Sequence, residues 1–488
     1  MFELGSRWLR AGFEGDSTPM CVMRFGPEES RRAGDYRGWM NYGSSTDSQQ
    51  LIDPEDWTRA HELWRMDLRD VNLGLVEDKI ERVIREAYNT YLLTDAGTAR
   101  LVLTLPSLMP HPLMASVLST LFNRWRFPSI TLLPAATMST TAAGVRSALV
   151  VDLGWAETTA TGVYEYREIA HKQSTRAMKS LVQETGKFLS KLNAKDGRDT
   201  DRVSVSFEYC EEVVSRLMWC KHRREPEGSA DEETDATASV ADKTVSIPSP
   251  SDPGSEYIDV PFTRLTEPVE KTLFARGIAD CDLDDEEKPI PLLVYNTLLS
   301  LPPDVRGMCM SRIIFVGGGS NIPGIRQRIL NDVSSLIKRY GWSQVRGKVV
   351  EKQRQRLQNL SISSPTTTTN ETQNVPKIEE PESKEKEEPP EIDFVEQKLQ
   401  RSRDKDASSK PPIRGVLREV DSLGPWAGAS LVASLKVRGL VEVEREKYLQ
   451  HGLAGASRDL ESHGYVPDRR SGLRSGGDRS SWTLGGWG

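Results

Sequence analysis

Two short stretches, far apart along the chain, decide its fold. The first is Val150-Val151-Asp152-Leu153-Gly154, and the second is Phe315-Val316-Gly317-Gly318-Gly319-Ser320-Asn321-Ile322-Pro323-Gly324. In each, an apolar run typical of a buried strand ends in glycine, which lets backbone N–H groups approach a phosphate closely. A third stretch of this kind, Phe2-Glu3-Leu4-Gly5-Ser6, runs on to Arg10-Ala11-Gly12-Phe13. Three such loops predict a nucleotide held in a cleft between two halves of the molecule.

Strand-like and helix-like patterns alternate around these loops. Short apolar runs predict strands at Leu101–Leu105, Ser147–Asp152 and Arg312–Val316. Helical spacing of apolar residues predicts helices in four places: Val76–Tyr91, Met178–Leu192, Tyr209–Met218 and Leu292–Leu301. Strands that alternate with helices are typical of a layered α/β fold.

Composition excludes several classes of protein. The net charge is −7, which gives no general reason to expect nucleic-acid binding. Five cysteines without a CxxC pair indicate neither a disulfide framework nor a zinc site, and they fit a reducing intracellular setting. No apolar run reaches the ~18 residues of a membrane span, so membrane insertion and secretion are not expected.

Long polar segments accompany the folded parts. With 37% hydrophobic residues and a mean hydropathy of −0.49, the chain must carry solvated stretches. Residues 225–256 are acidic and rich in Ser and Pro, 359–412 combine Thr, Glu and Pro, and 456–488 combine Gly, Ser and Arg. We expect the first two to be disordered insertions and the third to be a disordered tail.

The loops occur in an order that resembles the actin family. Gly5-Ser6 with Arg10-Ala11-Gly12-Phe13 is similar to the first phosphate loop of actins, and Asp152–Gly154 is similar to the second. Phe315–Gly324 resembles the glycine turn on the adenosine side. Trp426–Leu435 resembles the helix that returns the chain to its first domain. The resemblance covers most of 1–348 and 414–455.

This resemblance implies an actin-like fold of two similar halves flanking a nucleotide cleft. The first half would comprise 1–146 and 414–455, with 31–78 as a divergent pointed-end subdomain, and the second half would comprise 147–348. The resemblance also implies ATP or ADP with Mg as a possible cofactor, and Asp152 as the metal-associated carboxylate. The residues implied to contact the cofactor are Gly5, Ser6, Arg10, Asp152, Gly154, Gly317, Gly318 and Gly319.

The chain departs from the family pattern where hydrolysis requires polar groups. Leu153, Trp155 and Thr159 stand where the family has a serine, an aspartate and a histidine, and Ala135 stands where it has a glutamine. Without groups that orient the attacking water, we expect nucleotide to be bound weakly or statically, hydrolysis to be slow or absent, and the chain not to be an enzyme.

The first phosphate loop is altered too. Arg7 occupies the place of a second glycine, and it would either face a phosphate or point outward. Arg10 could keep the charge of a phosphate-binding lysine. Almost no strand precedes this loop, which indicates either a shortened strand or missing upstream residues.

The sequence of the pointed-end subdomain indicates which member of the family the chain resembles. Tyr42–Gln50 is polar where actins carry an apolar loop that inserts into the next subunit. This polar stretch, together with Glu157–Thr159 and Tyr164–Glu168, makes the chain resemble the divergent actin-related protein that caps the pointed end of the dynactin filament. The opposite end, lined by Gly144–Arg146 and Trp426–Leu435, would contact the last filament subunit.

The resemblance therefore implies particular partners and a place in the cell. The partners would be the actin-like filament subunit of dynactin, other pointed-end dynactin subunits and, indirectly, dynein and microtubules. The location would be the cytoplasm and cytoskeleton, with a role in dynein-driven transport and nuclear migration. The alternatives are a nuclear actin-related protein of a chromatin-remodelling complex and an active ATPase or sugar-kinase-like enzyme of the same superfamily.

Overall fold

The computed structural model describes nine ranges of the chain. They are 1–27, 52–65, 67–193, 201–221, 243–249, 257–278, 283–342, 415–437 and 440–453. The polar stretch Tyr42–Gln50, the insertion 359–412 and the tail 456–488 lie outside the described residues. The chain forms two compact units, Met1–Lys338 with Gly415–Gly488, and Arg339–Arg414. Because only 339–342 are described in the second unit, the elements below belong to the first, apart from the end of one helix.

A six-stranded sheet forms the centre of the first half. Its strands are β1 (Phe2–Leu4), β2 (Trp8–Ala11), β3 (Cys21–Arg24), β4 (Leu101–Leu105), β5 (Ser129–Pro134) and β12 (Val441–Glu444). Their order across the sheet is β12-β5-β4-β1-β2-β3. The pairs β1–β4 and β4–β5 are parallel, and the others are antiparallel. The parallel pairs bring the ends of β1 and β4 to the same edge, where the first loop begins.

A four-stranded sheet forms the centre of the second half. It contains β6 (Ala148–Leu153), β7 (Thr158–Tyr164), β8 (Arg167–Ser174) and β11 (Ile313–Val316), in the order β11-β6-β7-β8. The register of the parallel pair β11–β6 places Val316 opposite Asp152. The two glycine loops that the sequence singles out therefore leave neighbouring strands at the same edge of the sheet.

Helices cover the two sheets. They are α1 (Pro54–Arg59), α2 (Leu73–Glu86), α3 (His111–Ser119), α4 (Ala135–Ala142), α5 (Met178–Asn193), α6 (Phe207–Leu217), α7 (Glu267–Leu273), α8 (Ile290–Ser300), α9 (Pro303–Met310), α10 (Ile325–Tyr340), α11 (Gly424–Ser434) and α12 (Arg445–His451). None of the helices in the described residues is long and apolar enough to cross a membrane.

The predicted strands and helices are present, with small shifts at their ends. The helix predicted at Val76–Tyr91 is α2, which continues as a π-helical turn over Ala87–Leu92. Leu93, in the left-handed region at φ 51°, ends that turn. Because this turn directly continues the helix, the helical spacing of apolar residues runs past the end of α2.

One expectation about disorder is wrong. Thr244–Pro248, inside the stretch 225–256, forms strand β9 and pairs with β10 (Tyr257–Pro261). Ile247 lies opposite Ile258 in this hairpin and is buried, with 1% of its surface exposed. The alternation of apolar and polar residues in β9 is a strand pattern, which the acidic composition of the surrounding residues conceals.

The two halves are joined through a close helix pair. Helix α4 follows β5 of the first sheet and leads to β6 of the second. Helix α11 packs on it so closely that a Cβ atom at Gly428 would lie 1.9 Å from the Met138 carbonyl oxygen. The Trp426 indole donates a hydrogen bond to the Asp16 carbonyl oxygen, at 3.2 Å. These contacts tie α11 to both the first loop region and the connecting helix.

Candidate functional site

The structure brings the first two loops together at the base of a cleft. The first loop follows β1, and the second follows β6. The Arg7 guanidinium lies 5.5 Å from the centre of the Trp155 ring, which joins the two loops directly. The third loop, after β11, is adjacent to the second through Gly317 and Leu153. The three loops therefore lie next to one another, as a shared site requires.

Acidic side chains collect at this base. Asp152 lies near Glu3 and Glu157, and Arg10 forms an ion pair with Glu3. Burial raises the pKa of Asp152 to about 6, with Glu3 adding to the rise and Arg10 opposing it. Burial and Asp152 likewise raise the pKa of Glu157 to about 7. Arg10 thus faces carboxylates, and its expected role as a phosphate ligand is not supported.

The glycines of these loops are used for packing. A Cβ atom at Gly317 would lie 2.3 Å from a carboxylate oxygen of Asp152, and one at Gly319 would lie 2.8 Å from the Met178 sulfur. Gly318 has open space around the same position. The backbone N–H groups of Gly5 and Gly154 donate to the carbonyl oxygens of Trp8 and Glu157, at 2.9 and 3.1 Å. These two N–H groups are therefore committed within their own turns.

Arg7 is the centre of the cleft. Only 2% of its surface is exposed, and it neither points outward nor leaves its terminal nitrogens free for a phosphate. Its Nη1 donates to the Phe25 and His61 carbonyl oxygens, the latter at 3.0 Å. Its Nη2 lies 3.3 Å from both carboxylate oxygens of Glu211. Both roles expected for Arg7 from the sequence are wrong, because the side chain ties the first loop to helix α6.

Aromatic rings surround the Arg7 guanidinium. Its central carbon lies 5.1 Å from the centre of the Trp8 ring and 5.0 Å from that of Phe207. His61 stacks on Phe207 with ring centres 3.7 Å apart and planes inclined by 7°. Burial lowers the pKa of His61 to about 3, assisted by the charge of Arg7. The imidazole is therefore neutral at pH 7, which suits a position beside an arginine.

A polar cluster completes the closure of the cleft. Lys179 of α5 donates to Glu55 at 2.7 Å and to Glu62 at 3.0 Å. The Trp155 indole donates to the other carboxylate oxygen of Glu62, at 3.2 Å. Gln183, one turn along α5, donates to Glu55 as well, at 3.0 Å. Residues 52–65 of the first half are in this way fixed to α5 and the second loop of the other half.

The residues present do not fit a nucleotide with its metal ion. Two cations in the cleft are already paired, since Arg7 lies against Glu211 and Lys179 against Glu55 and Glu62. Within the described residues, no group of three or more His, Cys, Asp or Glu side chains could hold a metal ion. One carboxylate oxygen of Glu3 is buried without a hydrogen-bond partner among these residues, but Arg10 supplies the positive charge beside it.

The positions associated with hydrolysis also carry unsuitable groups. Thr159 lies opposite Asp152 in the β6–β7 pair, and Leu153 is buried, with 1% of its surface exposed. Trp155 is used to bind Glu62, and Ala135 is the first residue of α4. Leu153 and Ala135 are apolar, and the Trp155 indole is already bound to Glu62, so these three side chains offer no free polar group to a water molecule.

Sequence analysis missed the contacts between residues 52–65 and helix α6. His61, Phe207 and Glu211 carry no motif, and their sequence spacing gives no sign that they meet. The available signal was the Arg at position 7, since a bulky cation in a glycine loop needs a partner when buried. Its partner could not be identified without the fold.

Comparison with known proteins agrees with the fold. Residues 1–194 match the family model described as Actin. The chain is 22% identical over 337 residues to actin-related protein 2 of Arabidopsis thaliana, covering 67% of this chain and 79% of that protein. It is 23% identical over 244 residues to actin-related protein 2 of Saccharomyces cerevisiae, covering 50% and 58%. Actin-related protein 2 of Oryza sativa subsp. indica is 22% identical over 333 residues, covering 67% and 78%.

These matches agree with the fold of the chain. It has an actin-like α/β fold, as its sequence predicts, and the family match lies in its N-terminal part, residues 1–194. It is similar to actin-related proteins at low identity. Members of the actin family generally bind ATP or ADP with Mg, and the cleft of this chain differs from that pattern in the ways described above.

Proposed function

We propose that the chain is a structural actin-related subunit that caps the pointed end of the dynactin filament. In this role it supports dynein-driven transport and nuclear migration in the cytoplasm without hydrolysing ATP. The observation that carries the proposal is an apolar docking face on helix α11. The substitutions at Leu153, Trp155, Thr159 and Ala135 support the absence of hydrolysis.

The docking face consists of Leu423, Leu431 and Leu435, which are 75%, 45% and 66% exposed. Leu431 and Leu435 are four residues apart, so they lie on the same side of the helix. The other side of α11 is buried against α4 through Gly428 and Ala429. Exposed leucines along a firmly packed helix, here Leu431 with Leu435 at its end, are typical of a protein interface.

The position of this face suits contact with a filament subunit. Gly144–Arg146, which the sequence assigns to the same end of the molecule, follow the helix on which α11 packs. Arg146 accepts a backbone hydrogen bond from Tyr166 at 3.0 Å and forms an ion pair with Glu165. We expect the last filament subunit to cover this end, which leaves the region around 31–78 for accessory subunits.

Purification of the tagged chain from native extract, followed by mass spectrometry, tests this function. We expect to recover the actin-like filament subunit and the pointed-end subunits of dynactin, with one copy of the chain per filament.

The double variant Leu431→Asp with Leu435→Asp tests the docking face. It should remove the filament subunit from the purified material, because burying a charge on an apolar face is unfavourable. The matched control is Leu449→Asp on α12, where the leucine is 50% exposed but lies away from α11. Recovery of chromatin-remodelling subunits instead would replace the proposal with the nuclear alternative.

Imaging and turnover assays test the other parts of the proposal. Labelled chain should occur only at the pointed end, so labels along the length of filaments would indicate a general filament subunit. The isolated chain should show no multiple turnover of ATP. Turnover that Asp152→Ala abolishes would show that the site is active.

A further inference from the structure

We infer that side chains of this chain replace the nucleotide between its two halves, so that the cleft is closed without ATP or ADP. In the actin-like fold the first two loops would hold the phosphates. Here the Arg7 guanidinium lies between these loops, against the rings of Trp155 and Phe207. This inference does not depend on the proposed place in dynactin, because it concerns the cleft alone.

Several of the groups that could bind a phosphate are already hydrogen-bonded within the chain. The terminal nitrogens of Arg7 bind Glu211 and two backbone carbonyl oxygens. The N–H groups of Gly5 and Gly154 bind carbonyl oxygens within their turns. A phosphate entering the cleft would have to displace these bonds while Arg7 remained buried. Leaving a buried donor or acceptor unpaired costs about 1–3 kcal/mol for each group.

The negative charge of the cleft also opposes nucleotide binding. A nucleotide brings several negative charges, and the cleft already contains the carboxylates of Glu62, Glu211 and Asp152. The cations beside them, Arg7 and Lys179, are paired and buried. Additional negative charge in this partly desolvated space would meet repulsion from these carboxylates.

The closing contacts also form a continuous packed layer. Trp57, His61 and Phe207 pack together, with the Trp57 and Phe207 ring centres 5.3 Å apart. Trp155 adds an edge contact to Phe207, at 5.8 Å. These rings and the paired side chains of Arg7 and Lys179 therefore lie directly beside the first two loops. The two halves are held in one arrangement, as suits a subunit that stays in an assembly rather than cycling through nucleotide states.

Nucleotide analysis of the wild-type protein is the first test. Purified full-length chain is denatured, and the released nucleotide is separated by chromatography. We expect far less than one nucleotide per chain, and no rise in Tm when millimolar MgATP or MgADP is added. A stoichiometric nucleotide, or a rise in Tm of several degrees on addition, would overturn the inference, because a ligand that binds the folded state must stabilise it.

Hydrogen exchange with a matched pair of variants tests the closing contacts. Glu211→Gln removes the charge that pairs with Arg7, whereas Glu212→Gln alters the next residue, whose partner is the exposed Arg216. We expect Glu211→Gln to speed exchange in 52–65 and 207–217 by roughly tenfold or more, and Glu212→Gln to leave it unchanged. Equal effects of the two variants, or protection of these segments in the wild type by MgATP, would contradict the inference. If Glu211→Gln does not fold, the nucleotide content of the wild type and its response to MgATP still decide whether the cleft binds nucleotide.

Discussion

Arg7 and Glu211, 204 positions apart in the sequence, form an ion pair of 3.3 Å across the cleft. The arginine side chain is 2% exposed and the glutamate side chain 31%. The pair therefore joins a buried cation of the first half to a partly accessible anion of the second. Burial lowers the pKa of Arg7, and the charge of Glu211 opposes this effect. An arginine in this position requires its partner, so the two halves depend on each other for stability.

The first prediction concerns the stability that Arg7 provides. Arg7→Met removes the hydrogen bonds to three partners and leaves Glu211 without its cation. We expect the free energy of unfolding to fall by about 2–4 kcal/mol, because the carbonyl oxygens of Phe25 and His61 lose their donor and each buried unpaired group costs about 1–3 kcal/mol. Urea unfolding followed by tryptophan fluorescence measures this change.

Arg59→Met is the control for Arg7. Arg59 ends helix α1 close to the cleft, but its side chain is 56% exposed, and it pairs only with Asp56 among the described residues. We expect this variant to change the free energy of unfolding by less than about 1 kcal/mol. A similar loss in the two variants would show that Arg7 has no special role.

The second prediction is a dependence of stability on pH that originates at His61. Its pKa is about 3 in the folded state against 6.5 for the free side chain. The unfolded chain therefore binds the proton more readily, and stability is lost as pH falls from about 6.5 toward 3. His61→Gln should reduce the slope of the free energy of unfolding against pH by up to about 1.4 kcal/mol per pH unit.

The slope for His61→Gln should be compared with that for His111→Gln, which alters an exposed histidine at the start of α3. Unfolding at a series of pH values gives both slopes. Because stacking on Phe207 is also lost, the comparison rests on the slope rather than on the absolute stability. An unchanged slope in His61→Gln would mean that the imidazole is accessible to protons in the folded state.

The third prediction concerns the acidic cluster. The pKa of Asp152 is raised from 3.8 to about 6 in the folded state. The folded chain thus holds the proton more firmly, and the contribution of Asp152 to stability is lost as pH rises from about 4 through 6. Asp152→Asn should stabilise the protein above pH 7 by roughly 1–2 kcal/mol and should give no gain below pH 4.

The control for Asp152 is Asp16→Asn, at an exposed position of the chain. Thermal unfolding of wild type and both variants, with Mg²⁺ and with a chelator, gives the comparison. We expect Mg²⁺ to have no effect on the wild type. A wild type that Mg²⁺ stabilises, together with a destabilised Asp152→Asn, would indicate a bound metal ion instead.

The fourth prediction separates two adjacent glycines. Gly317 has φ of 82°, and a Cβ atom there would lie 2.3 Å from Asp152 and 2.5 Å from the Leu153 carbonyl oxygen. Gly317→Ala should therefore destabilise the protein by more than about 2 kcal/mol. Gly318→Ala meets open space and should change stability by less than about 1 kcal/mol. Calorimetry of both variants measures the difference, and equal effects would mean that Gly317 does not pack against the second loop.

Much of the fold could be predicted because local patterns encode it. The strand Ala148–Leu153 was predicted one residue earlier at each end, and Leu101–Leu105 was predicted as it stands. Continuous apolar runs specify buried strands wherever the surrounding chain allows them. Strand β9 was missed because it is short and lies within residues whose composition indicates disorder.

The candidate site was predicted in its location but not in its contents. The glycine loops meet as expected, since parallel neighbours such as β6 and β11 must end at the same edge of the sheet. The resemblance to actins could not show that Gly317 and Gly319 serve packing, because a glycine that admits a ligand and one that admits another backbone are identical in sequence.

The sequence by itself determined the α/β fold and the place where the glycine loops meet, and it shows apolar or altered side chains where actins carry polar ones. These follow from the chemistry and order of residues such as Asp152, Leu153 and Trp155. The tertiary structure alone decided that Arg7 closes the cleft with Glu211 and that Arg10 faces carboxylates. The reason is physical: the role of a buried charge depends on which opposite charge lies beside it, and folding brings these partners together from distant parts of the chain.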